Sequence, residues 1–282
     1  MRSWFAAAFL ALATLGAAAQ PQDEGVDVKK SRLRLLPAST VERSAAQQYN
    51  DLMRQAAQKN LLNNDKRQVE RLRNIARALI PHSRRFNEDA QRWKWEVNLI
   101  RSGSINAFCM PGGKIAFFTG ILDGLQLSDD EVAAVMGHEI AHALLEHGRA
   151  RMSQQVLKSV GVSVAAALFN LGQLSTELLA QATNLAVSLP YARGQESDAD
   201  LVGIELAARA GYDPQAAVRL WQKMGQAGSK PAPPGQAARG QPPQFLSTHP
   251  SHGTRIKDIE ANLPRVTPLY KAAAAARKEG GK

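Results

Sequence analysis

His138-Glu139-Ile140-Ala141-His142 constrains this chain more than any other stretch. Two histidines four residues apart fall on one face of an α-helix, so both imidazoles can reach a single metal ion. Glu139 lies beside that face, where its carboxylate can take a proton from water. The flanking sequence agrees with a helix. Ser128 and Glu131 form a capping box, and Asp129 and Asp130 fill the first turn, where the helix dipole favours negative charge. Val132, Val135, Met136, Ile140 and Leu144 recur at helical spacing, and Ala133, Ala134, Ala141 and Ala143 permit close packing. Gly137 weakens a helix relative to alanine. Its presence makes sense if another backbone or the metal site crowds the helix there. His147 lies about 140° beyond His142 on a continuous helix, which sets it apart from the ligands as a solvated or packing histidine.

A catalytic zinc usually takes three protein ligands and leaves one position open, so a further ligand is expected downstream. Gln195 to Asp200 opens a second helical run, continued by Leu201, Val202, Ile204 and Leu206. Glu196 and Asp200 share a face. One carboxylate can bind metal while the other accepts the free N–H of a ligand histidine. On its own, the pair would read as an acidic first turn complementing the helix dipole.

Together these motifs resemble the zinc endopeptidases that include the CAAX prenyl proteases, HtpX and the bacterial envelope proteins BepA and LoiP. Further segments carry the resemblance across most of the chain. Ile105 to Gly113 is similar to the N-A-F-x-x-P-G-G segment, and Tyr191 to Glu196 to the basic approach to the third ligand. Ala210 to Pro214 is similar to the A-G-Y-D-P turn, and Thr248-His249-Pro250 with Arg255-Ile256 to the T-H-P…R-I segment. One departure is Ala192, where relatives often have Ser before the arginine.

The resemblance implies an α+β, mainly α-helical, zincin-like domain with a small edge sheet and two central zinc-binding helices. It makes His138, His142 and Glu196 the ligands of one Zn2+, Glu139 the general base, and Asp200 the partner of a ligand histidine. His249 would sit near the metal as a resting ligand or as a donor to the oxyanion. Arg255 would brace that loop or face the oxyanion. Asn106, Ala107, Phe108 and Gly112 would belong to an edge strand that receives extended substrate through backbone hydrogen bonds. No repeat array follows, which places the chain nearest the exported LoiP/BepA-like members without a repeat domain. The lipid-modified cysteine of LoiP has no counterpart here.

Composition and segment order complete the expectation. Arg2, the apolar run Trp4 to Gly16 and Ala17-Ala18-Ala19 read as a cleaved secretory signal over residues 1–19, which implies the periplasm. Residues 20–37 read as a loose leader, 38–270 as the catalytic domain and 271–282 as a polar tail. Two helices are expected over 38–80, broken near Asn63-Asn64-Asp65. A strand is expected from Trp93 to Ile100, and two more flank Pro111-Gly112-Gly113. Val160 to Leu171 is too short for a membrane span. The Pro/Gly/Gln-rich 225–247 segment reads as a flexible loop leading into His249. The single cysteine, Cys109, rules out an internal disulfide and reads as a buried, inert thiol.

The formal net charge is +10, or +9 without Arg2. The basic residues read as spread along the chain, and no nucleic-acid motif accompanies them; export makes a membrane surface the better candidate contact, with an ordinary basic solvated surface as the default. The expected function is zinc-dependent endoproteolysis of misfolded or misassembled envelope proteins, with contact to outer-membrane assembly machinery. The alternative is a chaperone-like outer-membrane assembly factor with a latent zinc site; a zinc hydrolase of non-protein substrates such as cell-wall peptides is disfavoured by an edge strand with no sugar-binding aromatic cluster.

Overall fold

The computed structural model describes residues 25–31, 33–160, 181–182, 191–229, 244–250 and 253–279. The expected signal at 1–19, most of the apolar 160–171 run and the central part of the 225–247 segment lie outside the described residues. Helix α1 (Ala38–Gln58) buries Val41, Ala45, Tyr49, Met53 and Ala56 along one face. Helix α2 (Lys66–Leu79) starts at Asp65, whose carboxylate accepts from Gln68 N, and gives way to a 3-10 turn at Ile80-Pro81. The expected break between the two helices falls where Asn60 and Asn63 adopt positive φ.

Strands β1 (Glu96–Ile100), β2 (Ala107–Met110) and β3 (Lys114–Phe118) form one sheet in the order β1-β3-β2. β1 runs parallel and β2 antiparallel to β3. The first strand begins at Glu96 rather than Trp93. Trp93 and Trp95 precede it, and their indole N–H groups donate to Glu42 and to Ala90 O. The β2–β3 turn needs its glycines: Gly112 and Gly113 have φ of +82° and +80°, and a Cβ on Gly113 would meet the Trp95 ring at 2.7 Å. The outer side of β1 pairs locally with Leu62. The outer edge of β2 carries no strand among the described residues. Tyr49 pins α1 to the sheet, donating to Ile115 O at 2.6 Å and accepting from Asn98 at 3.0 Å.

Helix α3 (Thr119–Gly124) leads to α4 (Asp129–Leu144), which is the centre of the molecule. The capping box at Ser128 and Glu131 is present in both directions. α4 is buried all round rather than along one stripe. It meets the sheet on one side and α6 (Arg193–Arg209) on another, with α2 and α7 (Ala216–Ser229) filling the remainder. α5 (His147–Val160), α8 (Gln244–Thr248) and α9 (Arg255–Glu279) complete the described helices. No described helix is long and apolar enough to cross a membrane.

Four expectations change. The 20–37 leader is not loose where it is described. Gly25 and Val26 are buried, and Val26 N donates to the buried Glu205 carboxylate at 2.6 Å. Ser31 N bonds Leu145 O, and Leu36 is fully buried with its N–H on Ser153 Oγ. The 225–247 segment is helical at both ends, within α7 up to Ser229 and from Gln244 onward. The 271–282 tail is helical through Glu279 as the last turns of α9. The basic charge is concentrated rather than spread: residues 66–101 hold ten Lys/Arg and four Asp/Glu, so +6 of the net +10 lies in α2, the following turns and β1.

Candidate metal centre and catalytic cleft

α4 and α6 cross at two glycines. A Cβ on Gly137 would lie 2.8 Å from Gly203 O, and one on Gly203 would lie 2.9 Å from His138 N. The crowding that Gly137 implied is therefore another backbone. This close crossing sets His138 and His142 of α4 against Glu196 and Asp200 of α6. His249 enters from the end of α8, held by its N–H on Phe245 O at 2.8 Å.

His138, His142, Glu196 and His249 form one buried cluster whose candidate ligand atoms all lie within 4.8 Å of one another. His138 Nε2 is 3.1 Å from His142 Nε2 and 3.2 Å from His249 Nδ1. Glu196 Oε1 is 3.1 Å from His249 Nδ1 and 3.4 Å from His142 Nε2. The opposite ring nitrogens are occupied. His138 Nδ1 donates to Asp200 Oδ1 at 2.9 Å, which leaves the Nε2 lone pair facing the cluster. His142 Nδ1 sits 2.9 Å from His147 Nδ1, and donation to His147 leaves the His142 Nε2 lone pair facing inward as well. Lone pairs and a carboxylate converging at this distance repel one another unless a cation lies between them. Two or three imidazoles with one carboxylate form a borderline-soft donor set that suits zinc.

The surrounding side chains tune these groups. Burial raises the Glu196 carboxyl, but the adjoining His142 and His249 imidazoles outweigh it and hold the group well below the carboxylate range. Burial likewise raises Asp200, and Arg255 and His138 bring it below its ordinary value. Arg255 is 1 % exposed. It forks onto Asp200 with two 2.7 Å bonds, reaches Glu196 Oε2 at 2.6 Å and stacks on Trp221 at 3.6 Å. Burial pushes His142 well below its ordinary value, and His147 down to about 3, so His147 is a neutral acceptor at pH 7.

Glu139 lines the cleft beside the cluster. Its Oε1 is buried without a hydrogen-bond partner and lies 3.4 Å from His249 Nε2. Burial raises its carboxyl above the ordinary value, opposed by His249 and His138. The cleft, of ≈ 380 Å³, runs along the free edge of β2 past Asn106, Ala107 and Phe108. Gly112 lies off the cleft, in the hairpin turn beside Glu42. Cys109 is buried in β2, and burial raises its thiol well above the ordinary value.

Tyr191, Trp221 and His147 also shape the site. Tyr191 stacks on His142 at 3.7 Å, with the Arg151 guanidinium 3.4 Å above the Tyr191 ring. Trp221 donates to Asp200 Oδ1 at 3.3 Å. His147, set aside on a continuous helix, is placed by a break: α4 ends at Leu144 and Glu146 has φ +58°. The sequence signals for these positions are the family-like segment from Tyr191 to Glu196 and the closeness of His147 to His142.

Residues 66–263 match the family profile of peptidase family M48. The chain belongs to peptidase family M48. Zinc is the metal of this family, and the donor set fits it. The chain is 40 % identical over 172 residues to the mitochondrial metalloendopeptidase OMA1 of Schizosaccharomyces pombe, covering 61 % of this chain and 47 % of that protein. It is 35 % identical over 185 residues to the OMA1 metalloendopeptidase of Arabidopsis thaliana, with coverages of 65 % and 35 %. Identity to the beta-barrel assembly-enhancing protease of Yersinia pestis is 27 % over 192 residues, with coverages of 64 % and 37 %. The match thus spans less than half the length of each of these M48 relatives.

Proposed function

We propose that this chain is an exported zinc-dependent endopeptidase that hydrolyses unfolded or misassembled envelope proteins. The observation that carries the reading is Glu139 Oε1, a buried carboxylate oxygen without a hydrogen-bond partner, aimed into the cleft beside the convergent donors. Such an orphan is costly unless a proton-bearing ligand meets it. His138, His142 and Glu196 would hold the metal. Bound zinc supplies Lewis acidity toward a peptide carbonyl and makes water acidic enough to deprotonate near neutral pH. Glu139 takes the proton of the attacking water and delivers it to the leaving amine. Asp200 and His147 fix the two α4 imidazoles through their far nitrogens. The free edge of β2 holds the substrate backbone in extended form, which demands little of its sequence and suits unfolded chains.

Export rests on the signal-like residues 1–19, and the periplasm is the matching compartment. The outer-membrane assembly role rests on the assembly-enhancing protease of Yersinia pestis as a relative. The concentrated +6 charge of residues 66–101 suits contact with an anionic membrane surface.

The deciding test is Glu139→Gln. The variant keeps its zinc and its fold but loses Glu139-dependent cleavage of casein, because an amide cannot accept the water proton. Unchanged cleavage by the variant overturns the mechanism. A second reading, a chaperone-like assembly factor with a latent site, is favoured by His249 lying within the cluster. A chaperone function would survive Glu139→Gln.

A further inference from the structure

The cleft extends beyond the cluster to the side of the sheet that faces α1. β2 alternates across the sheet: Ala107 and Cys109 pack toward α4, and Phe108 and Met110 toward α1. On the α1 side the cleft is lined by Leu52, Phe108, Met110, Phe118 and Met152, while Glu139 and His142 stand on its metal side. The wall is preformed. The Phe108 ring lies 6.3 Å from Phe118 and meets Tyr49 edge-on at 6.4 Å, with Tyr49 itself hydrogen-bonded into the sheet. Leu52, Phe108 and Phe118 are each partly exposed, so this hollow keeps apolar surface in contact with solvent.

An extended peptide added to the free β2 edge presents successive side chains to opposite faces of the sheet. A residue whose backbone faces Glu139 therefore has a neighbour whose side chain points toward α1. We propose that this hollow is a binding subsite for one large apolar side chain beside the scissile bond, with Leu52 and Phe108 as its specificity-determining walls. The inference rests on the peptidase reading above and adds the substrate class to it. Large apolar side chains are mostly hidden in folded proteins and exposed in unfolded ones, so such a subsite selects unfolded chains by their chemistry. A carboxylate or ammonium placed there would be desolvated against apolar walls. Arg151, the one lysine or arginine among the described residues lining the cleft, adds repulsion against basic side chains.

The experiment uses the zinc-loaded full chain and internally quenched peptides of one sequence. The mapped cleavage position is flanked by a single varied residue: Phe, Leu, Ala, Asp or Lys. The expected kcat/KM for Phe or Leu exceeds that for Ala by roughly tenfold to a hundredfold, with Asp and Lys lowest. Glu139→Gln protein, which binds without cleaving, shows the same order in Kd by fluorescence anisotropy. Leu52→Trp fills the hollow from a half-buried helix position, and it reduces the Phe-to-Ala ratio at least tenfold. Phe108→Ala widens the hollow and reduces the same ratio, and thermal melts confirm that both variants fold. Glu139-dependent cleavage with no preference among the five peptides, unchanged by Leu52→Trp, overturns the subsite and leaves the peptidase reading intact. No Glu139-dependent cleavage of any peptide overturns both.

Discussion

Gly137→Ala adds one methyl group at the point where α4 and α6 touch. Its Cβ would stand 2.8 Å from Gly203 O and 3.3 Å from Gly203 Cα. Both neighbours are backbone, so no side chain can rotate away. Ordinary contact at about 3.5 Å requires α4 and α6 to part by roughly half an ångström or more. Overpacking of this kind costs about 1–3 kcal/mol, and the absence of a yielding neighbour puts this site at the upper end. Alanine returns about 1 kcal/mol of helix propensity. The net loss is about 2 kcal/mol, which lowers Tm by roughly 4–8 °C for a domain of this size. The same displacement pulls His138 from Asp200, now 2.9 Å apart, and from Glu196. Zinc affinity should fall by about tenfold or more, as when a ligand histidine loses its orienting partner.

Gly194→Ala is the internal control, because a Cβ on Gly194 meets nothing within 4 Å. The same glycine-to-alanine change there should leave stability unchanged or raise it by up to about 1 kcal/mol, with Tm level or slightly higher. Thermal melts of both variants, with zinc and with chelator, separate the packing loss from the metal loss. A Gly137→Ala protein as stable as wild type, with unchanged zinc affinity, refutes the contact argument.

Three further outcomes follow from the site. Ala192 occupies the N-cap of α6 with extended φ and ψ and gives no side-chain cap, so Ala192→Ser should add about 1 kcal/mol and raise Tm by roughly 2–4 °C; an unchanged or lower Tm rejects the capping argument. The protein should hold about one zinc per chain, and His138→Ala, His142→Ala or Glu196→Ala should each lose most of it, while His147→Ala should keep zinc with roughly 10–100-fold weaker affinity. Full zinc retention in Glu196→Ala would remove that residue from the site. His249→Ala should keep zinc and raise basal cleavage of a small unfolded peptide, since His249 Nδ1 lies 3.2 Å from His138 Nε2 in the cluster; an oxyanion role would instead lower activity by about a hundredfold, and unchanged kinetics would exclude both roles.

The metal-bearing helices were legible because their signals are local. The capping box, the H-E-x-x-H spacing and the Glu196–Asp200 spacing each lie within one or two helical turns. Gly137 announced crowding, but its partner Gly203 lies far along the chain, and no local pattern links the two. The packed segment before α1 is not legible in the sequence because its anchors are backbone N–H groups, such as Val26 N on Glu205, which leave no mark on composition. The final helix was misread for the opposite reason. Ala, Lys, Arg and Glu over 271–279 are strong helix formers, but the stretch lacks an apolar stripe and so looked like a tail. Helical periodicity does not carry to His147, because α4 ends at Leu144.

Arg255 shows how separate segments become one site. Its Nε and Nη2 fork onto Asp200, while Nη1 reaches Glu196 Oε2 and, at 3.4 Å, Pro250 O. One guanidinium thus ties α9 to Asp200, the partner of His138, to Glu196 and to the residue that follows His249. Only a planar fork with several donors can make these contacts together; a lysine would offer one point of charge. Glu196 and Asp200 are both buried and both held ionised, yet Arg255 offsets only one of their two charges. An isolated buried carboxylate is costly, and a divalent cation held in the His138, His142, Glu196 and His249 cluster would neutralise the remaining negative charge. The stability of this core and its capacity for metal therefore have the same electrostatic origin. The position of His249 is coupled to both, because Arg255 holds the backbone beside it.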